Sequence, residues 1–161
     1  FLALSSCGWQ LRDTLLLDNS IGAVHVSYSG SQSSLGIELK RALRANNVQL
    51  VGATESANYQ IKIIDITQSR RIGALNTSVR PAQYQIYKTV DYMVLDKQGT
   101  QIIPMTSASA ESTYNYNESD MLASENEENL LQNNLRAEIV RQIVRRLGEA
   151  SYRQKGYSDC N

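Results

Sequence analysis

Alternation of apolar and polar residues, with the period of two that a half-buried strand requires, predicts four strands along this chain. In the first strand Val24, Val26 and Tyr28 share one face, and His25 lies on the opposite, wetter face. His25 is the only histidine of the chain, so it lacks partners for a triad or a metal site and we assign it no function. The predicted strands are residues 21–28, 59–67, 84–96 and 101–116.

The second predicted strand contains a shift in its apolar phase. Ile61 and Ile63 are in phase with each other, whereas Ile64 and Ile66 are in the opposite phase. One inserted residue at this point would form a β-bulge, which bends and twists a strand. A strand buried on both faces would give the same pattern, and both interpretations stay open. The turn residues that follow, Asn76-Thr77-Ser78, predict the tip of a hairpin.

The third predicted strand, Tyr84–Asp96, is far longer than the usual five or six residues. Its apolar face includes one charged residue, Lys88. The fourth predicted strand, Gln101–Tyr116, is rich in Ser, Thr and Ala after Ile102 and Ile103. Because such small side chains leave a shallow surface, we expect this strand to be incompletely covered by its own domain or to lie against something else.

Apolar residues at helical spacing predict two helices. The first spans about Leu35 to Ala45. The second begins at Asp120 or Ser124, since the sequence from Ser124 fits a capping box, and it carries an apolar residue at every fourth position as far as Leu147. Gly148 is expected to end it, because glycine favours the backbone conformation that terminates helices.

The predicted order of elements is strand, helix, three strands, helix. Two helices with one apolar stripe each can cover one face of a sheet. The sequence therefore predicts an α+β fold, a two-layer sandwich with two helices packed on one face of a four-stranded mixed sheet. We expect residues 21–148 to form this single domain and residues 149–161 to form a flexible tail.

The composition is that of a globular domain, since 42% of the 161 residues are hydrophobic and 20% are charged. Sixteen basic residues balance sixteen acidic ones, which excludes the broad positive field of a nucleic-acid-binding protein. Nine tyrosines accompany one phenylalanine and one tryptophan. Because tyrosine buries its ring and keeps its hydroxyl hydrated, we expect long sheet surfaces that meet a partner or lipid.

Catalytic and metal-binding motifs are missing from the sequence. It contains no GxSxG, no HExxH, no Gly-rich phosphate loop and no paired cysteine and histidine ligands. The acid pair Glu127-Glu128 falls at the start of the second predicted helix, where solvation explains it. We therefore predict that the protein is not an enzyme and uses no cofactor or metal ion.

The N-terminal residues resemble a lipoprotein signal. An apolar run ends in Leu4-Ser5-Ser6-Cys7, which is similar to the bacterial lipobox, where the cysteine is acylated and becomes the first residue. We expect residues 1–6 to be a signal-peptide remnant and residues 7–20 to be the lipidated N-terminus and a linker, anchored stably by several acyl chains. The alternatives are that Cys7 is an apolar residue of an N-terminal strand, or that it forms a disulfide with Cys160.

Several stretches carry a resemblance to a known family. The most specific is the opening Cys7-Gly8-Trp9-Gln10-Leu11-Arg12-Asp13, close to the family's C-G-[WF]-x-L-R start. The others are Leu39-Lys40-Arg41-Ala42-Leu43 with Asn47-Val48-Gln49-Leu50, Ala82-Gln83-Tyr84-Gln85, and Glu125-Asn126-Glu127. With these motifs in the same order over nearly the whole chain, the sequence resembles the LPS-assembly lipoprotein LptE family, also called rare lipoprotein B.

The resemblance implies a lipid-anchored protein on the periplasmic face of the outer membrane of a Gram-negative bacterium. It also implies the plug of the LptD β-barrel, which assists assembly of that barrel and binds lipopolysaccharide during transport to the cell surface. The implied partners are LptD, lipopolysaccharide and the outer membrane, and no nucleic acid. The alternatives are a structural adaptor lipoprotein of another envelope complex with no lipid ligand, and a periplasmic lipid carrier, which would need an enclosed apolar cavity.

Cations around the predicted hairpin tip are the candidate ligands for lipopolysaccharide phosphates, because charge-assisted hydrogen bonds hold phosphate strongly. Family members place basic residues at such a tip and just before the final helix, whereas Asn76-Thr77 and Ser124 stand at those places here. The alternative is that the cations are ordinary solubilising charges. The candidates are Arg70, Arg71, Arg80 and Lys88.

Overall fold

Five strands and two α-helices form the described part of the chain. The computed structural model describes residues 21–29 and 34–158. The predictions for residues 1–20, lipidation of Cys7 among them, and for Cys160 lie outside the described residues. The elements are β1 (Ala23–Tyr28), α1 (Ser34–Ala45), β2 (Gln49–Leu50), β3 (Tyr59–Leu75), β4 (Pro81–Asp96), β5 (Gln101–Asn115) and α2 (Met121–Ser158).

The strands form one mixed sheet in the order β2-β1-β3-β4-β5. Strand β1 is parallel to both β2 and β3, whereas β3, β4 and β5 form an antiparallel meander. The prediction of four strands is wrong by one, which is β2. Its residues Gln49 and Leu50 pair with Ala23 and Val24, and two residues are too few to show the alternation by which a strand is recognised.

Strand β3 carries the predicted bulge. Ile63 pairs with Tyr92, and Asp65 pairs with the preceding residue of β4, Asp91. Ile64 is therefore the inserted residue that faces no partner, and the prediction of a bulge at this point is confirmed.

Beyond the bulge, β3 continues as an edge strand. Its pairing with β1 ends at Ile63, and from there β4 is the only strand beside it among the described residues. Within the predicted strand, Tyr59, Ile61 and Ile63 are buried, whereas Gln60 and Lys62 on the opposite face are only half-buried and Asp65 and Thr67 are exposed, so the interpretation of a strand buried on both faces is wrong. The strand reaches Leu75, past the predicted end at Thr67, because pairing with β4 rather than an apolar pattern extends it.

Both helices pack on the same face of the sheet, against apolar side chains of β1, β3, β4 and β5. The predicted α+β class and two-layer arrangement are confirmed, with the strand count corrected to five. This leaves the opposite face of the sheet without a covering layer from the described residues. The helix residues at the centre of the core are Leu35, Leu39, Leu43, Ile139, Ile143 and Leu147.

Helix α2 begins at one of the two predicted starts. Asp120 Oδ1 accepts a hydrogen bond from Ala123 N at 3.2 Å, so Asp120 caps the helix. Ser124 lies within the first turn and donates to Asp120 O at 3.1 Å. The predicted capping box at Ser124 is therefore wrong.

Helix α2 ends at Ser158, so the predictions of an end at Gly148 and of a tail from residue 149 are wrong for residues 149–158. A glycine inside a helix costs about 1 kcal/mol relative to alanine. Burial of Ala150 and Ser151 beyond the glycine offsets that cost and continues the packed side of the helix. Within the described residues, no helix is both long enough and apolar enough to cross a membrane.

Replacing Gly36 with alanine is expected to destabilise the protein. Gly36 is buried in α1, and a Cβ added there would overlap the phenol ring of Tyr28, whose hydroxyl is also buried. Overpacking of this kind costs about 1–3 kcal/mol, which exceeds the roughly 1 kcal/mol that alanine gains in helix propensity. Urea unfolding of Gly36→Ala measures the loss. In the control Gly52→Ala the added Cβ meets nothing within 4 Å, and equal stabilities of the two variants would contradict the expectation.

Candidate functional site

The face of the sheet opposite to the helices, which we call the outer face, is polar along its whole length. The strand register places on it the residues that alternate with the core positions. Each of them is exposed or half-buried, and three are apolar or aromatic. The outer face consists of His25, Ser27, Gln60, Lys62, Asp65, Thr67, Ser69, Arg71, Gln83, Gln85, Tyr87, Thr89, Asp91, Met93, Leu95, Ser107, Ser109, Glu111, Thr113 and Asn115.

Hydroxyl and amide groups dominate the outer face. Ser107 Oγ donates to Asp91 Oδ1 across strands at 2.5 Å, and Gln60 Nε2 donates to Ser27 Oγ at 3.4 Å. His25 lies on this face as predicted, with Nδ1 3.0 Å from Val51 O. Such a surface offers hydrogen-bond donors and acceptors to a polar partner and little apolar area to a membrane.

A second feature, the arginine–tyrosine cluster, lies on the helix face near the start of α2. It consists of Arg70, Tyr84, Tyr114, Tyr116 and Glu128. Glu128 Oε2 accepts from Tyr114 Oη at 2.6 Å and from Arg70 Nη1 at 3.1 Å. The Arg70 guanidinium also lies 4.6 Å from the Tyr84 ring centroid, which stacks on Tyr114 at 5.7 Å.

Burial and hydrogen bonds within the cluster shift the pKa values of Tyr114 and Glu128 in opposite directions. Burial, and then the hydrogen bond to Glu128, raise the pKa of Tyr114 to about 12. The hydrogen bonds from Tyr114 and Arg70 outweigh partial burial and lower the pKa of Glu128. Tyr114 is therefore a neutral donor and Glu128 an anion at neutral pH.

The predicted phosphate ligands lie in four different settings rather than at one site. Arg70 belongs to the arginine–tyrosine cluster, and Arg71 lies on the outer face, 5.2 Å from the Tyr87 ring centroid. Arg80 follows the β3–β4 turn and pairs with Glu118 at 2.7 Å, where the arginine side chain is 64% exposed. The fourth candidate, Lys88, lies in the core.

Lys88 is 7% exposed and its Nζ donates to Gln68 Oε1 at 3.1 Å. Burial is the main reason why its pKa is lowered; Arg136 lowers it further, and Glu38 opposes the shift. Glu38 and Arg136 join α1 to α2 through an ion pair of 3.4 Å. A cation in this position is not accessible to a ligand from the surface. The in-phase position of Lys88 among apolar residues of β4 was the signal of its burial.

Sequence reasoning missed Glu128 as the partner of Arg70 and Glu38 as a neighbour of Lys88. The members of each group come from distant parts of the chain, with Arg70 and Glu128 separated by 58 positions. No group of three or more His, Cys, Asp or Glu within the described residues is placed to hold a metal ion.

A family profile with the description LptE, Lipopolysaccharide-assembly, matches residues 21–147, which is most of the chain. The chain belongs to the LptE family. Members of this family are envelope lipoproteins that serve lipopolysaccharide assembly. The resemblance read from the sequence is confirmed.

Relatives of this LptE-family protein align with most of its sequence, and two solved structures share its fold. An LPS-assembly lipoprotein LptE from Photorhabdus laumondii is 23% identical over 146 residues, 91% of this chain and 79% of that protein. The solution NMR structure of an uncharacterized lipoprotein B from Nitrosomonas europaea has a TM-score of 0.76 at 20% identity, covering 90% of this chain and 93% of that one. Rare lipoprotein B from Shewanella oneidensis, a crystal structure, gives 0.72 at 19% identity, covering 83% and 98%. The two structures support the fold described above.

In this LptE-family protein, Tyr114→Phe is expected to lower the free energy of unfolding by about 1–2 kcal/mol, because it removes the donor to Glu128. The pKa of Tyr114 is raised in the folded state, so the phenol's contribution is complete below pH 10 and is lost as pH rises through about 12. Denaturant unfolding at neutral pH and between pH 10 and 12 measures both effects. Tyr152→Phe, at a 75% exposed position, is the control, and a constant gap between Tyr114→Phe and the natural chain across this pH range would contradict the assignment.

Lys88→Met is expected to raise the free energy of unfolding by about 1 kcal/mol at neutral pH, because it removes a buried charge and keeps the volume. The pKa of Lys88 is lowered in the folded state, so the cost of its charge is complete below the folded-state pKa and disappears as pH rises through that pKa toward 10.5. Lys62→Met on the outer face serves as the control in the same unfolding measurements. A less stable Lys88→Met protein would show instead that Gln68 and Glu38 stabilise the ammonium group.

Proposed function

We propose that this LptE-family chain is an outer-membrane lipoprotein, anchored at the periplasmic face through acylated Cys7. In this proposal it forms the plug of the LptD β-barrel, assists assembly of that barrel and binds lipopolysaccharide on the way to the cell surface. The family match and the relatives named LPS-assembly lipoprotein LptE support the assignment to lipopolysaccharide transport.

The observation that carries the plug proposal is the uncovered, polar outer face. A lumen-filling protein meets the polar interior wall of its barrel, so it needs a surface of hydrogen-bonding groups rather than an apolar one. Strand β4 contains 16 residues and reaches roughly 53 Å at about 3.3 Å per residue, enough to follow the height of a membrane barrel. Tyr87, half-buried on this face, offers a ring and a hydroxyl to the same wall.

The lipopolysaccharide contacts proposed here are Arg70, Arg71 and Arg80. All three are exposed and lie on the part of the β3–β4 hairpin that extends past the parallel strands, with Arg80 beside the turn. A phosphate group on the sugar core would replace the carboxylate of Glu118 as the partner of the Arg80 guanidinium. Lys88 is left out of the proposed contacts because it is buried.

Affinity purification of the lipidated full-length protein from outer membrane tests the plug proposal. A large β-barrel protein recovered in equal amount, identified by mass spectrometry as LptD, is the expected result. Recovery of an inner-membrane transporter or of peptidoglycan instead would overturn the proposal in favour of a structural adaptor.

Removal of the three arginine charges, as Arg70→Gln, Arg71→Gln and Arg80→Gln together, is expected to weaken lipopolysaccharide binding about tenfold or more at low salt. The difference from the natural chain should shrink at high salt, since the contacts are electrostatic and solvent-exposed. Titration of the purified protein with lipopolysaccharide measures the affinity.

The matched control changes the net charge by the same amount away from the hairpin, at the exposed positions Arg41, Arg44 and Arg145. Its affinity should stay close to that of the natural chain. If both triple variants lose affinity equally, net charge rather than a site explains the binding, and if neither does, the three arginines are solubilising charges.

A further inference from the structure

The backbone of β5 has one side that is bonded to β4 and one side that is not. Tyr116 N donates to Ala82 O at 2.9 Å, which identifies this pair as hydrogen-bonded. In an antiparallel ladder such pairs alternate with pairs whose N–H and C=O groups point away from each other. Counting along the register, the even-numbered residues 108–114 bond to β4 and the odd-numbered residues 107–115 turn their backbone groups toward the open edge.

Helix α2 covers part of this edge. Gln142 Nε2 donates to Ser109 O at 3.0 Å, and Arg146 Nη1 donates to Ser107 O at 3.0 Å. Gln142 and Arg146 are one helical turn apart, a spacing close to that of two residues along a strand, so each side chain reaches one of the two carbonyls. They satisfy edge carbonyls that would otherwise be available to another strand.

The rest of the edge, from Glu111 to Asn115, has no such cover. Within the described residues no side chain or backbone group bonds the outward N–H and C=O of Glu111, Thr113 and Asn115. Lysine, proline and register shifts commonly prevent an edge strand from pairing with another chain, and the segment from Glu111 to Asn115 contains none of them. Pro104 and the register shifts between β4 and β5 lie near the start of β5 instead. An open row of about 17 Å therefore remains for pairing.

We infer that the Glu111–Asn115 edge receives an extended segment of the barrel partner as an added strand. The inference rests on the proposed function, because the side chains of these edge residues belong to the outer face proposed to meet the barrel. Backbone hydrogen bonds from Glu111, Thr113 and Asn115 supply the affinity, as in other cases of strand addition.

Charge decides between a barrel segment and a second copy of this chain. Glu111 is the only charged residue of β5, so a partner strand with a basic residue opposite it gains an ion pair. A second copy paired through its own β5 would bring another Glu111 and no cation. The added strand is therefore an extended, cation-bearing segment of the partner.

Amide hydrogen exchange of the natural chain, alone and in complex with LptD, tests the inference. The amides of Glu111, Thr113 and Asn115 are expected to exchange fast in the isolated chain and at least tenfold more slowly in the complex. A complex that forms without this protection overturns the strand addition and leaves the proposed function standing. Failure of the natural chain to bind LptD overturns both. Protection that appears in the isolated chain as its concentration rises, with a dimer in light scattering, overturns the barrel segment in favour of a second copy.

Two proline variants provide a matched pair for the same complex. Thr113→Pro removes an edge N–H without removing a bond to β4, and is expected to weaken LptD binding about tenfold. Ser109→Pro removes the equivalent N–H where Gln142 already covers the edge, and is expected to change binding less than about twofold. Unfolding of each isolated variant verifies that it folds. Equal affinities of the two folded variants would overturn the inference.

Discussion

Strand β4 is the element on which the rest of the fold depends. It pairs with β3 on one side and β5 on the other for most of its length, so the register of the whole meander is set against it. Its alternate residues Ile86, Val90, Tyr92 and Val94 are almost fully buried beneath the helices. A shift of this strand by one residue would turn these four side chains to the outer face. Because that shift would expose four almost fully buried side chains to water, their burial stabilises the observed register.

The period of two along the strands also determines the composition of the outer face. Both helices pack their apolar sides against one face of the sheet, so the alternate residues of the meander are left without a covering layer from the described residues and are mostly polar. The long hairpin extends past the parallel strands, since the pairing of β1 with β3 ends at Ile63 while β3 continues to Leu75. Among residues 21–29 and 34–158, the distal meander is thereby a three-stranded ribbon whose two edges pair with no further strand, and α2 protects only a portion of the β5 edge through Gln142 and Arg146.

Sequence patterns predicted what is local and periodic, and missed what is formed by tertiary contacts. The bulge at Ile64 was visible because an inserted residue reverses the apolar phase. Strand β2 was missed because two residues are too few to show an alternation of apolar and polar positions. The continuation of α2 past Gly148 was missed because burial of Ala150 outweighs the local preference of glycine for a helix end. Arg70 could be identified from the sequence as a cation near the hairpin. Its partner Glu128 could not, because the two residues are 58 positions apart and only the tertiary fold brings them together.

The settings of the arginines also order their availability to a phosphate ligand. The pair between Arg80 and Glu118 is exposed on both sides, and such pairs contribute about 0–1 kcal/mol, so exchange of carboxylate for phosphate costs little. Arg70 is held by Glu128, by the Tyr114 hydroxyl and by the Tyr84 ring, and its release would leave a partly buried carboxylate with fewer donors. Of the two, Arg80 thus exchanges its carboxylate partner for a phosphate at the lower cost, and Arg70 does so at the higher cost.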